Sequence, residues 1–118
     1  MDAAWRYSEA FLYAYEGDLQ NAYRSYKHAF ESSLQDANLP TQCEEFIQTI
    51  IEEEPARPWL YFCLGLINVR AKSDAVAARR DFRNFIERSD GRRFPVQIEA
   101  ARRWIAEIDA LLVTDQAE

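Results

Sequence analysis

The sequence predicts an all-α fold of about six antiparallel helices, and three observations carry that reading. A helix-turn-helix phrase occurs twice, opening first on Trp5 and again on Trp59. Apolar residues recur at i, i+3, i+4 and i+7 through most of the chain, and Gly, Pro and short polar clusters punctuate the periodic stretches. The connections left between them are short, as antiparallel helical neighbours require. The 118 residues, 48% of them hydrophobic, suffice for one core, so residues 1–118 are read as a single domain.

The first helix is expected over Ala3–Tyr15 and is strongly aromatic. Trp5 and Leu12 fall toward one side of it, and Tyr7, Phe11 and Ala14 toward another. One face should therefore meet the second helix while the other presents aromatics. Gly17 supplies a permissive backbone at its end, and Asp18 is placed to cap the second helix. In that helix Leu19, Ala22, Tyr23, Tyr26, Ala29 and Phe30 form an amphipathic stripe, which completes a hairpin over about residues 3–34. Thr41 and Glu44 have capping-box spacing ahead of Phe46, Ile47, Ile50 and Ile51, so a bridging helix is expected at 41–54, stopped by Pro55.

Pro58 suits the first turn of a fourth helix. Trp59, Phe62, Cys63, Leu64, Leu66 and Ile67 make that helix apolar nearly all round, which predicts a buried central position, and Gly65 allows a neighbour to approach closely. A fifth helix ending at Ser89-Asp90-Gly91 turns Ala78, Phe82 and Phe85 inward and Arg79, Arg80 and Arg83 outward. Together these form a second hairpin over about 57–88. The last helix, at 95–113, carries Trp104, Ile105 and Ile108 and is expected to seal the open apolar side of the array, with residues 113–118 fraying.

These residues carry a family resemblance. Trp5, Ala10, Tyr13, Gly17-Asp18, Ala22, Tyr26 and Ala29 resemble the packing signature of a tetratricopeptide repeat (TPR). Trp59, Leu64-Gly65, Ala78, Phe82 and Phe85 resemble a second copy, with one extra residue in the turn and Phe in place of the last Ala. The resemblance implies a TPR-like antiparallel helical-repeat array with a C-terminal capping helix, and a ligand lying along the concave face of the first helices of each hairpin. Mapped onto the matching segments, that face holds Tyr7 and Phe11, then Phe62, Leu66, Asn68 and Arg70, of which Phe62 and Leu66 are also natural core residues. Relatives that clamp a terminal carboxylate place Asn directly after the small residue. Here Phe11 follows Ala10 and Leu66 follows Gly65, so that clamp is not supported.

Charge and reactive residues narrow the function classes. The net charge of −6 is unevenly spread: residues 1–69 carry −7, residues 70–104 carry +5, and residues 105–118 hold acids alone. Arg79, Arg80 and Arg83 make a basic patch suited to carboxylate or phosphate contacts. Asp81, Glu87 and Glu99 are its expected internal partners. An acidic remainder repels a long polyanion, so nucleic acid is not the expected partner. Cys43 and Cys63 fall on the apolar faces of different helices and read as reduced core residues, which suits a cytoplasmic chain. His28 is the only histidine, too few ligands for zinc. Glu52-Glu53-Glu54 point in successive helical directions and do not converge, and no phosphate loop or nucleophile motif occurs.

The expected function is therefore a non-catalytic protein-interaction scaffold that holds a peptide or protein segment, favouring acidic ones, through Tyr7, Phe11, Asn68 and Arg70. No enzyme activity, cofactor, metal or membrane insertion is expected, and the oligomeric state is left open. The alternatives are a spacer or cap of a larger protein and a small secretion-type chaperone.

Overall fold

The computed structural model describes residues 3–32 and 38–116, and among these the chain is all-helical. The elements are α1 (Ala3–Tyr15), α2 (Leu19–Ser32), α3 (Leu39–Glu53), a 3-10 turn (Pro58–Leu60), α4 (Tyr61–Leu66), a π-helical stretch (Ile67–Ala71), α5 (Ala75–Arg88) and α6 (Pro95–Gln116). The principal extents are 43 × 37 × 23 Å. The shortest is about two helix diameters, so the helices form two layers. The closest pairings are α1 with α2, α4 with α5, and α5 with α6.

The α1–α2 turn forms as its residues dictate. Gly17 adopts a φ of +86°, and the Asp18 carboxylate accepts the Asn21 backbone N–H at 3.2 Å and its side-chain amide at 2.7 Å. The end of α1 is satisfied from far along the chain. The Trp59 indole N–H donates to the Ala14 carbonyl at 2.6 Å, Arg57 Nη1 to the Tyr15 carbonyl at 2.7 Å, and Arg93 Nη2 to the Glu16 carbonyl at 3.4 Å. Helix-terminal carbonyls lack intrahelical donors and carry the negative end of the macrodipole, so two guanidinium groups stabilise this end twice over. The Arg57 guanidinium also lies 3.9 Å from the centre of the Tyr15 ring, and the Tyr15 hydroxyl donates to Glu54 at 2.6 Å.

The central position of the fourth helical segment is as expected: Trp59, Leu60 and every residue from Phe62 through Asn68 are buried. Gly65 faces the Phe82 ring so closely that a Cβ there would overlap it. Phe62, Phe82 and Phe85 form the aromatic centre, with ring centroids 5.1 and 6.1 Å from Phe62. The fourth helical segment ends in the π stretch, where the Lys72 N–H bonds to the Ile67 carbonyl five residues back. Asp74 then caps α5 by accepting the Ala77 N–H at 3.1 Å.

Two expected boundaries are corrected. α3 begins at Leu39, with Pro40 in its first turn and no side-chain cap from Asn38. The Thr41–Glu44 capping box does not form, because Thr41 already lies within the helix and the Glu44 carboxylate turns into the core. α6 runs to Gln116 instead of ending near 113. The end of α2 beyond Ser32 and the polar stretch before Asn38 lie outside the described residues. The sealing role of α6 is met by Trp104, stacked on Phe82 at 5.0 Å, and by buried Ile98, Ala101 and Ile108.

Candidate functional site

An open groove of about 380 Å³ runs between α2 and α6, floored by α4. Gln20 and Tyr23 come from α2, Phe62 from α4, and Val96, Gln97, Ala100, Arg103, Trp104 and Glu107 from α6. At about 100° per residue those six α6 positions share one arc of roughly 120° centred on Ala100. Ala100 has little side chain, which leaves the space. Trp104 forms the inner wall, its ring 6.2 Å from Tyr23 and 6.3 Å from Phe62. Val96 is exposed at one end, and the same arc continues beyond Glu107 to exposed Leu111. The groove thus combines an aromatic and apolar floor with a rim of two amides, one cation and one carboxylate. Such a lining is able to pack apolar groups on its floor and exchange hydrogen bonds at its rim, and none of its lining residues is Ser, Thr, Cys or His.

The residues singled out from sequence do not come together there. Tyr7 is buried at 3% exposure, packed 6.2 Å from Tyr26 and 5.9 Å from Phe30. Phe11 is half-buried on a different side, edge-on to Phe46 at 4.9 Å. Arg70 is exposed on the π stretch, and Asn68 is fully buried. The open groove is lined by the second, fourth and sixth helices, and α1 turns Tyr7, Ala10 and Ala14 into the core instead. Of the mapped positions only Phe62 reaches it, while Leu66 belongs to the core. The missed signals were Gln20 beside the stripe residue Tyr23 at the edge of α2, and the arc centred on Ala100.

The basic patch is held internally. Arg79 donates to Asp109 at 2.9 Å, Arg83 approaches the other Asp109 oxygen at 4.0 Å, and Arg80 lies 3.6 Å from Asp81. Of the expected partners Asp81 is met by Arg80, while Arg79 and Arg83 turn to Asp109 on α6 and not to Glu87 or Glu99. These partly exposed pairs each contribute about 0–1 kcal/mol.

Asn68 instead centres a buried polar cluster. One amide N–H donates to Glu44 at 2.8 Å and the other to Asp81 at 2.7 Å, and Lys72 Nζ reaches Glu44 at 2.6 Å. Three elements, α3, the π stretch and α5, are joined through one carboxamide. Its Oδ1 has no partner among the described residues. Burial pushes the Asp81 carboxyl up to about 6; the Asn68 amide and Arg80 oppose that shift, and Glu44 adds to it. Burial also raises the Cys43 thiol to about 11 and the Cys63 thiol to about 12, so neither is a ready nucleophile. Among the described residues no group of His, Cys, Asp and Glu is placed to hold a metal, and no helix is long and apolar enough to cross a membrane.

Comparison with known proteins returns no match: no family model, no curated protein and no solved structure resembles this chain closely enough to assign it.

Proposed function

We propose that the chain is a protein-interaction module of TPR-like design that holds a peptide or protein segment in the α2–α4–α6 groove. The observation that carries this reading is the groove itself: an aromatic floor of Tyr23, Phe62 and Trp104 under a rim of Gln20, Gln97, Arg103 and Glu107. Aromatic anchors at the centre of a pocket supply most of the affinity in such contacts, and rim amides fix the backbone of an extended segment. Two features support the repeat design. α1–α2 and α4–α5 are antiparallel hairpins with Ala10, Ala22, Ala29, Gly65 and Ala78 where helices touch, and α6 seals the second hairpin.

A photo-crosslinking amino acid at Gln97, on the rim, tests the reading in the source cell against the same group at Gln48, which is exposed on α3. A protein captured from position 97 and not from 48, and lost when Ala100→Trp fills the groove, is the expected result. Equal capture from both positions, or capture indifferent to the filled groove, would sink it.

A further inference from the structure

A second surface lies on the side of the molecule formed by α1 and α3. Trp5 is 52% exposed, Leu12 65% and Phe46 51%, and Phe11 lies beside them with its ring 4.9 Å from Phe46. Helical register makes this one strip. Trp5 and Leu12 are seven residues apart on the outer face of α1, and the Phe11–Phe46 contact carries the apolar surface across to α3. Large exposed side chains grouped in this way mark an interaction site.

Exposed carboxylates rim it. Glu16 stands about one turn beyond Leu12, Glu45 adjoins Phe46, and Glu53 lies about two turns beyond Phe46 on the same face. All three are exposed, and the described residues give none of them a basic partner. The nearby cations are already engaged: Arg57 with Glu54 and the Tyr15 carbonyl, Arg93 with the Glu16 carbonyl and the Trp59 ring, and Lys72 with Glu44. The last turn of α3 contains no basic residue, so Glu52 and Glu53 stand at the negative end of the helix macrodipole. Like charges gathered there repel one another and the helix end until cations arrive from outside.

We propose that the α1–α3 strip is a second docking surface whose partner is a basic amphipathic segment, with an apolar side chain set against Leu12 and Phe46 and Lys or Arg directed at Glu16, Glu45 and Glu53. The proposal is independent of the groove. A segment that is apolar and uncharged leaves the carboxylates without cations, and an acidic one is repelled. A basic segment meets both the apolar strip and its rim.

The test uses the full chain and a fluorescein-labelled synthetic amphipathic helix with Leu and Phe on one face and Lys on the other, beside a counterpart with Glu for Lys. Anisotropy should show the Lys peptide binding one to one and the Glu peptide failing to bind. Leu12→Ser with Phe46→Ser, both exposed sites, should weaken the Lys peptide about tenfold or more, with the helical circular dichroism retained. Glu16→Gln with Glu53→Gln should weaken it several-fold and flatten its salt dependence. Equal binding of both peptides, or full affinity in the Leu12–Phe46 pair, overturns the proposal. So does loss of Lys-peptide affinity in Val96→Ser, which would place the peptide in the groove. A dimer in sedimentation that dissolves in the Leu12–Phe46 pair would assign the strip to a second copy of the chain, and the basic partner would be wrong.

Discussion

The Trp59 indole N–H bonds to the Ala14 carbonyl at 2.6 Å, joining the start of the fourth helical segment to the end of the first across 45 residues of sequence. Trp59 is 8% exposed, so water does not replace that bond easily, and its ring also lies 5.8 Å from Phe94 and 4.5 Å below the Arg93 guanidinium. Trp59→Phe keeps an aromatic ring and removes the donor. It should cost about 1–2 kcal/mol of stability, read as a lower midpoint in urea, while Trp59→Ala should cost about 3–5 kcal/mol. Equal stability of the Phe variant and the parent would show that the bond contributes nothing net.

Gly65 and Gly17 should respond differently to Ala. At Gly65 the new methyl overlaps ring atoms of Phe82, and the ring is itself fixed between Phe62 and Trp104. Gly65→Ala should lose about 1–3 kcal/mol and Gly65→Leu more. At Gly17 the obstacle is the flexible end of Arg93, which can swing away, so the cost is chiefly the positive φ, about 1 kcal/mol. Chemical denaturation of the three variants should place Gly65→Leu as the least stable and Gly17→Ala as the most.

Asp81 should leave a mark on the pH dependence of stability. Its folded-state value of about 6 exceeds the ordinary 3.8, so between those values the folded chain binds more protons than the unfolded one. Stability from this group is therefore greatest at low pH, falls as pH rises from about 4 to about 6, and is flat above. Asp81→Asn, which does not titrate, should remove the slope and gain about 2 kcal/mol over the parent at pH 7.5 relative to pH 4.5. Urea titrations at the two pH values give the difference directly; an unchanged slope would mean that another group sets it.

Deleting the chain from Pro95 onward removes Trp104 from the Phe82 face and uncovers the neighbours of Ile98, Ala101 and Ile108. The truncated chain should lose helicity and associate. Light scattering showing a monomer, with the ellipticity of the remaining helices intact, would contradict the sealing role.

Period and punctuation made the helices legible: the Gly17-Asp18 turn, the all-apolar segment after Pro58, Gly65 at a close approach and Trp104 in the seal were all readable from spacing. What was not readable depends on contacts between distant residues. The π stretch adds a residue to the turn of the helix, so the orientation of Asn68 does not follow from a 3.6-residue period. Glu44 has the spacing of a cap, but Asn68 and Lys72 hold its carboxylate, a pairing known only once α3 lies beside the π stretch. The groove was missed for the same reason: Gln20 looks like an ordinary polar-face residue of α2, and Tyr23 like a core member of its stripe, until α6 is set opposite them.

The donors that finish α1 lie 42, 45 and 77 residues from the carbonyls they serve. The α1–α2 hairpin is a local structure, able to form in about microseconds once both helices exist. The Gly17 and Asp18 N–H groups close the Ala14 and Tyr13 carbonyls locally, yet the Tyr15 and Glu16 carbonyls meet Arg57 and Arg93 only after docking, when Trp59 adds a second donor to Ala14. During synthesis the hairpin therefore emerges from the ribosome well before its last donor does. In the finished protein, amide exchange in the final turn of α1 should be tied to the docking of the 57–59 segment and the loop before α6, so the two ends of the array open and close together.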